Sequence, residues 1–193
     1  MQLLETMKVG ADGTIPLLER NLARISASAY VLGFRCDVDE LRAAILRKAE
    51  ASRDTMFRLI LSRDGAFELQ LKLMIPFGIS RLGLASRVVN SSDPMLYHKT
   101  TNRVLYEGAT DAILVNQRGE ATETGIANIA VLRNGRWVTP PVSCGLLPGT
   151  RRAQLLEAGE LVEGVVPVKD LVAGETVRFF NARGVFEAVF FQA

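Results

Sequence analysis

The chain has 193 residues, 48% of them hydrophobic and 23% charged, and a formal net charge of +2. That is the composition of a soluble globular protein able to bury one good core or two small ones. Lys and Arg are spread along the sequence, so no basic track for a nucleic-acid backbone exists. A single His and two distant cysteines, Cys36 and Cys144, leave no ordinary zinc site and no metal is expected. Glu5 stands where a secretory signal wants a basic segment, and no apolar run reaches the roughly 18 residues that span a bilayer. A cytoplasmic location without membrane contact is the expectation.

In chain order, Leu3 to Val9 and Thr14 to Leu18 predict a strand hairpin turning at Asp12-Gly13. Leu22, Ile25, Ala29 and Leu32 form the apolar stripe of a helix from Glu19 to Leu32, ended by Gly33. Asp37 reads as the N-cap of a second helix, with Glu40 at the capping-box distance and Leu41, Ala44 and Ile45 behind it. Strands are predicted from Met56 to Ser62 and from Phe67 to Ile75, around Arg63-Asp64-Gly65. The polar run Asn90-Ser91-Ser92-Asp93-Pro94 reads as a linker. It divides the chain into a smaller α/β domain (1–89), an interdomain linker (90–96) and a C-terminal domain (97–193).

The second half begins with a short helix from about Thr100 to Gly108. Strands follow at Ala112 to Val115, Glu120 to Thr124 and Ile129 to Leu132, with a turn at Gln117-Arg118-Gly119. Asn134-Gly135 is a hairpin signal leading into Arg136 to Thr139. A helix follows Gly149 and runs through Leu155 and Leu156; strands are then expected at Leu161 to Pro167, Thr176 to Phe180 and Val185 to Phe191. Hairpins mixed with helices, rather than regular alternation, predict an α+β fold.

Four segments carry the chemistry: His98-Lys99-Thr100-Thr101-Asn102-Arg103; Thr122-Glu123-Thr124-Gly125-Ile126-Ala127-Asn128; Gly145-Leu146-Leu147-Pro148-Gly149-Thr150-Arg151-Arg152; and Asn181-Ala182-Arg183-Gly184-Val185. Their order and spacing resemble the class IV aminotransferase family, the fold type IV pyridoxal-phosphate enzymes. The resemblance covers nearly the whole chain, since Leu4-Glu5-Thr6 and the run from Leu18 to Ile25 also match the family's N-terminal domain. The Lys-x-x-Asn-Arg run, the segment from Cys144 to Thr150 and the Asn-x-x-Gly-Val run are similar to the aminodeoxychorismate lyases, especially the lyase domains fused to aminodeoxychorismate synthase. The implied architecture is two-domain, D-amino acid aminotransferase-like and shortened at the N-terminus, with residues 97–193 as the domain that binds pyridoxal 5'-phosphate.

The resemblance implies a role for each residue type. Lys99 holds the cofactor aldehyde covalently and then serves as nearby base and acid. Glu123 sits beside the ring nitrogen, where a carboxylate keeps it protonated. Gly149, Thr150 and Arg151 open a helix and offer N–H groups to the phosphate, Ala182 adds another, and Arg24 matches the family's phosphate-binding arginine. Arg58, inside an apolar strand where an unpaired cation is costly, and Arg103 are the substrate-binding candidates.

Three departures from the family stand out. A hairpin usual before Leu3 is missing, Asn21 replaces a common histidine, and the segment from Tyr106 to Asp111 is short. The implied reaction is the lyase step from 4-amino-4-deoxychorismate to 4-aminobenzoate and pyruvate, in the formation of the folate precursor. The alternatives are a D-amino acid or branched-chain aminotransferase, and a degenerate, non-catalytic protein of this fold. The family also implies a homodimer acting on a small-molecule substrate, with an aminodeoxychorismate synthase as a further partner.

Overall fold

The computed structural model describes residues 1–72 and 78–192; Leu73 to Ile75, the end of an expected strand, lie outside them. Contacts divide the chain into two compact units: Met1–Pro76 with Lys99–Asn102, and Phe77–His98 with Arg103–Ala193.

In the first unit, β1 (Leu3–Lys8), β2 (Met56–Leu61) and β3 (Phe67–Lys72) form an antiparallel sheet in the order β1-β2-β3. Helices α1 (Leu18–Leu32) and α2 (Val38–Glu50) cover one face of it. Alternation decides which face: Leu3 and Met7 lie opposite Leu61 and Phe57, and all four are buried with Leu22, Ile25, Leu41 and Ile45. The Asp37 carboxylate accepts from the N–H groups of Asp39 (3.1 Å) and Glu40 (3.0 Å), the N-cap read from the sequence.

The expected hairpin at Thr14 to Leu18 does not form. The Asp12 carboxylate accepts from Thr14 N (3.0 Å) and Oγ1 (2.8 Å), and Gly10 N donates to Thr14 O (2.8 Å). These bonds close a tight loop that delivers the chain into α1. Pro16 has no N–H for a ladder, and β1 pairs with the distant, apolar β2 instead.

The second unit contains β4 (Arg81–Val89), β5 (Ala112–Asn116), β6 (Ala121–Thr124), β7 (Asn128–Arg133), β8 (Arg136–Thr139), α3 (Thr150–Glu157), β9 (Val162–Glu163), β10 (Thr176–Asn181) and β11 (Gly184–Phe190). They form an eight-stranded sheet in the order β10-β11-β4-β5-β6-β7-β8-β9, and β7 also pairs with β10. The run from β10 round to β7 therefore closes on itself like a barrel, leaving β8 and β9 as an extension. Leu82, Ile113, Ile129, Val131, Val177, Phe179 and Phe190 fill one cluster. Helix α3 adds Leu155 to Phe180, Ala130 and Leu161.

Strand β4 accounts for the difference between the expected division at 89/97 and the observed units. Its pairing with β5 and β11 draws residues before 90 into the larger sheet. The polar run after it is no free linker: Ser91 N donates to Gln117 Oε1 (2.9 Å), and Ser91 Oγ accepts from Gln117 (2.9 Å) and Arg118 (2.7 Å). The helix expected at Thr100 to Gly108 shrinks to a single 3-10 turn, Val104–Tyr106, because Thr100 bridges Leu3. The strand expected from Leu161 to Pro167 pairs with β8 only at Val162–Glu163. No helix among the described residues is long and apolar enough to cross a membrane.

Candidate active site

In the first unit, the main chain around Lys99 adds to the open edge of β1. Leu4 N donates to Lys99 O (2.8 Å), Thr101 N donates to Gln2 O (2.9 Å), and Gln2 N donates to Thr101 Oγ1 (2.9 Å). Lys99 is half-buried and thus starts from a fixed backbone position. Arg24, near the middle of α1, donates from Nε to Glu5 Oε1 (2.8 Å) and from Nη2 to Oε2 (2.6 Å). Glu5 is 1% exposed and also accepts from Asn21 Nδ2 (2.6 Å). Asn21, set on sequence against a histidine of the family, is therefore a second clamp on the carboxylate that fixes Arg24.

Arg58 lies on the face of the small sheet opposite the helices, because its neighbours Phe57 and Leu59 point into the helix-side core. Thr6 and Gln70 flank it in register. Its Nε is buried with no hydrogen-bond partner among the described residues. Water or a ligand oxygen normally satisfies such a donor.

In the second unit, Glu123 on β6 is 4% exposed. Its carboxylate accepts from Asn128 Nδ2 (3.0 Å), Leu147 N (2.9 Å) and the Tyr106 hydroxyl (3.3 Å). Donors of this kind favour the charged form of a buried carboxylate. Asn128 faces Glu123 across β6–β7 and also donates to Leu147 O (2.9 Å), so one amide holds both the carboxylate and the loop before α3. Gly149 belongs to that loop, and a Cβ there would stand 1.9 Å from Asn128 Oδ1. Only glycine permits this approach.

Gly149 precedes α3, which has no side-chain cap. The first-turn N–H groups, including those of Thr150 and Arg151, have no partner within the helix and face the positive end of its dipole. The Arg151 side chain turns along the helix to Gln154 Oε1 (2.6 Å), so its main chain and not its guanidinium is offered at the helix start. Arg152 is buried and holds α3 to the strands through Pro140 O (2.8 Å) and Glu163.

Ala182 sits in the turn between β10 and β11, and Asn181 Nδ2 ties that turn to Ile126 O (3.1 Å). Arg103 donates to Gly125 O and stacks over the Tyr106 ring at 3.9 Å from its centroid. Glu123, Asn128, Arg103 and the Ala182 turn thus gather about the β6–β7 turn. Tyr106 and Asn128, like Glu5 and Asn21, had no assigned role from the sequence. The packed contact of Tyr106 with Glu123 spans 17 residues and leaves no local pattern to read.

The model of the class IV amino-transferases matches residues 2–187. A Schizosaccharomyces pombe protein named "Putative aminodeoxychorismate lyase" is 32% identical over 194 residues, covering 89% of this chain and 82% of its own. A solved structure from Mesorhizobium loti, described as a "Putative amino-acid aminotransferase", superposes with a TM-score of 0.87 at 30% identity, covering 100% of this chain and 99% of that one. A 4-amino-4-deoxychorismate lyase structure from Pseudomonas aeruginosa gives 0.82 at 22% identity, covering 98% and 83%, a likeness of fold. The mixed sheets, the strand closure and the match over almost the full length agree: the chain belongs to the class IV aminotransferase family, whose members are pyridoxal-phosphate-dependent enzymes of fold type IV.

Proposed function

We propose that this enzyme is a 4-amino-4-deoxychorismate lyase that releases pyruvate and 4-aminobenzoate. The observation that carries the reading is the similarity to the Schizosaccharomyces pombe protein across most of both chains.

The residues present fit pyridoxal phosphate. Glu123 is a buried carboxylate suited to a protonated ring nitrogen, the N–H groups of Thr150 and Arg151 suit a phosphate, and Gly149 lets the Asn128 amide pack where a Cβ would stand, which fixes the turn that presents them. The family resemblance assigns Arg24 and the turn at Ala182 to the phosphate as well, and Lys99 Nζ would make the covalent link. The cofactor, when bound, supplies an electron sink for the pair released when the amine-bearing carbon loses its proton.

Lys99 Nζ takes that proton and carries it. Arg58 holds a substrate carboxylate, which satisfies its buried Nε. Glu123 keeps its negative charge beside the ring through the donors that surround it. The bond between the ring carbon and the enolpyruvyl oxygen breaks as the substrate ring becomes aromatic, and the departing enolpyruvate takes up a proton at its methylene carbon to become pyruvate, so the protein chiefly orients groups and manages protons.

The likeness to the Mesorhizobium loti structure favours a second reading, an amino-acid aminotransferase, for which D-amino or branched-chain amino acids are the proposed donors. One experiment separates the two. The cofactor-loaded protein is given aminodeoxychorismate and pyruvate is followed, beside a parallel incubation with amino acids and 2-oxoglutarate. Pyruvate release that disappears in Lys99→Ala supports the lyase; glutamate formation without pyruvate overturns it. A homodimer and a synthase partner belong to the same proposal, and the mass of the protein in solution, alone and mixed with a synthase, tests them.

A further inference from the structure

We propose that Tyr106 is a positioning residue that sets the proton affinity of Glu123. The inference rests on the reading of Glu123 as the carboxylate beside the cofactor ring, and it deepens that reading.

Tyr106 is 8% exposed and its hydroxyl lies 3.3 Å from Glu123 Oε1. The contact is built from several sides. Arg103 lies over the ring at 3.9 Å and donates to Gly125 O. Gly125 N donates to Ala109 O at 2.6 Å. A Cβ at Gly125 would stand 3.0 Å from both Tyr106 O and Ala109 O, so the glycine is what lets this segment lie against the β6–β7 turn. The same stretch, Tyr106 to Asp111, is the one that is short relative to the family.

The phenol has few alternatives in this position. Burial and then the charge of Glu123 push its pKa far above neutrality, with a further push from Asp93 and an opposing pull from Arg103. It stays protonated and donates. Asn128 Nδ2 and Leu147 N donate to the same carboxylate. Arg103 and Asp93 are the charged groups, besides Glu123, that bear on the Tyr106 hydroxyl. Loss of one donor makes a buried carboxylate hold a proton more tightly. A ring nitrogen beside it then faces a partner that is neutralised at higher pH.

The test uses the cofactor-loaded protein with the single-atom variant Tyr106→Phe. The carboxyl carbon resonance of Glu123, assigned by its loss in Glu123→Gln, is titrated against pH alongside the visible band of the bound cofactor. Tyr106→Phe is expected to raise the Glu123 midpoint by about one pH unit and to move the acid limb of the band the same way. Affinity for pyridoxal phosphate at neutral pH should change by no more than a few-fold. Arg103→Gln, which releases the ring and removes a cation, is the second variant, and a smaller shift of the same sign is expected.

Midpoints unchanged in both variants, while Glu123→Gln alters the band, would overturn the role of Tyr106 and leave the reading of Glu123 standing. A Glu123→Gln protein whose band and cofactor affinity match the wild type would overturn the reading itself.

Discussion

Glu5 meets Arg24 through two hydrogen bonds of 2.8 and 2.6 Å, with side-chain exposures of only 10% for the arginine and 1% for the carboxylate. A buried pair of this kind gives little net stability by itself, because desolvation offsets most of the attraction. Removing one partner is another matter: the charge left behind stays buried and unpaired. Glu5→Gln keeps the shape and one acceptor but removes the buried negative charge that Arg24 meets, and it is expected to cost about 3 kcal/mol. Urea unfolding at pH 7 reads this as a lower midpoint with an unchanged slope, and an unaltered midpoint would show that Glu5 does not hold Arg24. At this scale the sequence was partly legible. Glu5, Arg24 and Glu123 stand in runs with a recognisable order, whereas the pairing of Glu5 with Arg24, 19 residues away, and of Tyr106 with Glu123, 17 residues away, is marked by no local pattern.

The helix opening at Gly149 shows how an element turns a local signal into a site. The sequence marks the glycine as the entry to α3, but the reason for it lies on β7, where the Asn128 amide holds Glu123 and Leu147 O and occupies the space a Cβ would need, 1.9 Å away. Gly149→Ala must push Asn128 away or shift the turn. It is expected to weaken pyridoxal phosphate binding at least tenfold, an amount that losing one charge-assisted hydrogen bond would produce. Absorbance titration with the cofactor checks this, and wild-type affinity in the variant would separate the turn from the phosphate. Elements governed by such local chemistry were the ones predicted well: the cap at Asp37, the turn at Gln117 to Gly119, and the hairpin of β7 and β8 at Asn134-Gly135. Strand β4 was not seen. It pairs in parallel with β5 and β11, and a mixture of exposed and half-buried positions blurs its alternation. The false hairpin at Thr14 has the same origin in reverse, since its turn residues were genuine but the winning partner of β1 was β2.

For the whole molecule, acid is the direction in which stability falls, and two groups of the second unit show why. Glu120 accepts from Arg118 Nε (2.9 Å) and Nη2 (2.7 Å) and from Asn116 Nδ2 (2.7 Å), and these bonds, Arg118 first, hold its carboxyl at about 2 against an ordinary 4.5. Arg118 also reaches Ser91 Oγ and Ser143 O, so this carboxylate secures the turn that anchors the chain after β4. Because the native value lies below the unfolded one, the unfolded chain binds the proton first as pH drops. The stabilisation is complete above pH 4.5 and disappears as pH falls through about 2. Arg118 is 45% exposed, so screening limits the effect to about 1 kcal/mol. His98, whose pKa burial lowers from 6.5, works in the same direction at higher pH: the unfolded chain gains that proton first, and stability is lost as pH drops below 6.5. The urea midpoint of the wild type is therefore expected to decline in two stages, a shallow one as pH drops below 6.5 and a steeper one from pH 4.5 downward. Glu120→Gln should be less stable at pH 7 and should lose part of the second stage, while the first is kept. A variant curve parallel to the wild type between pH 4.5 and 2.5 would mean that the Glu120 carboxylate does not secure the turn.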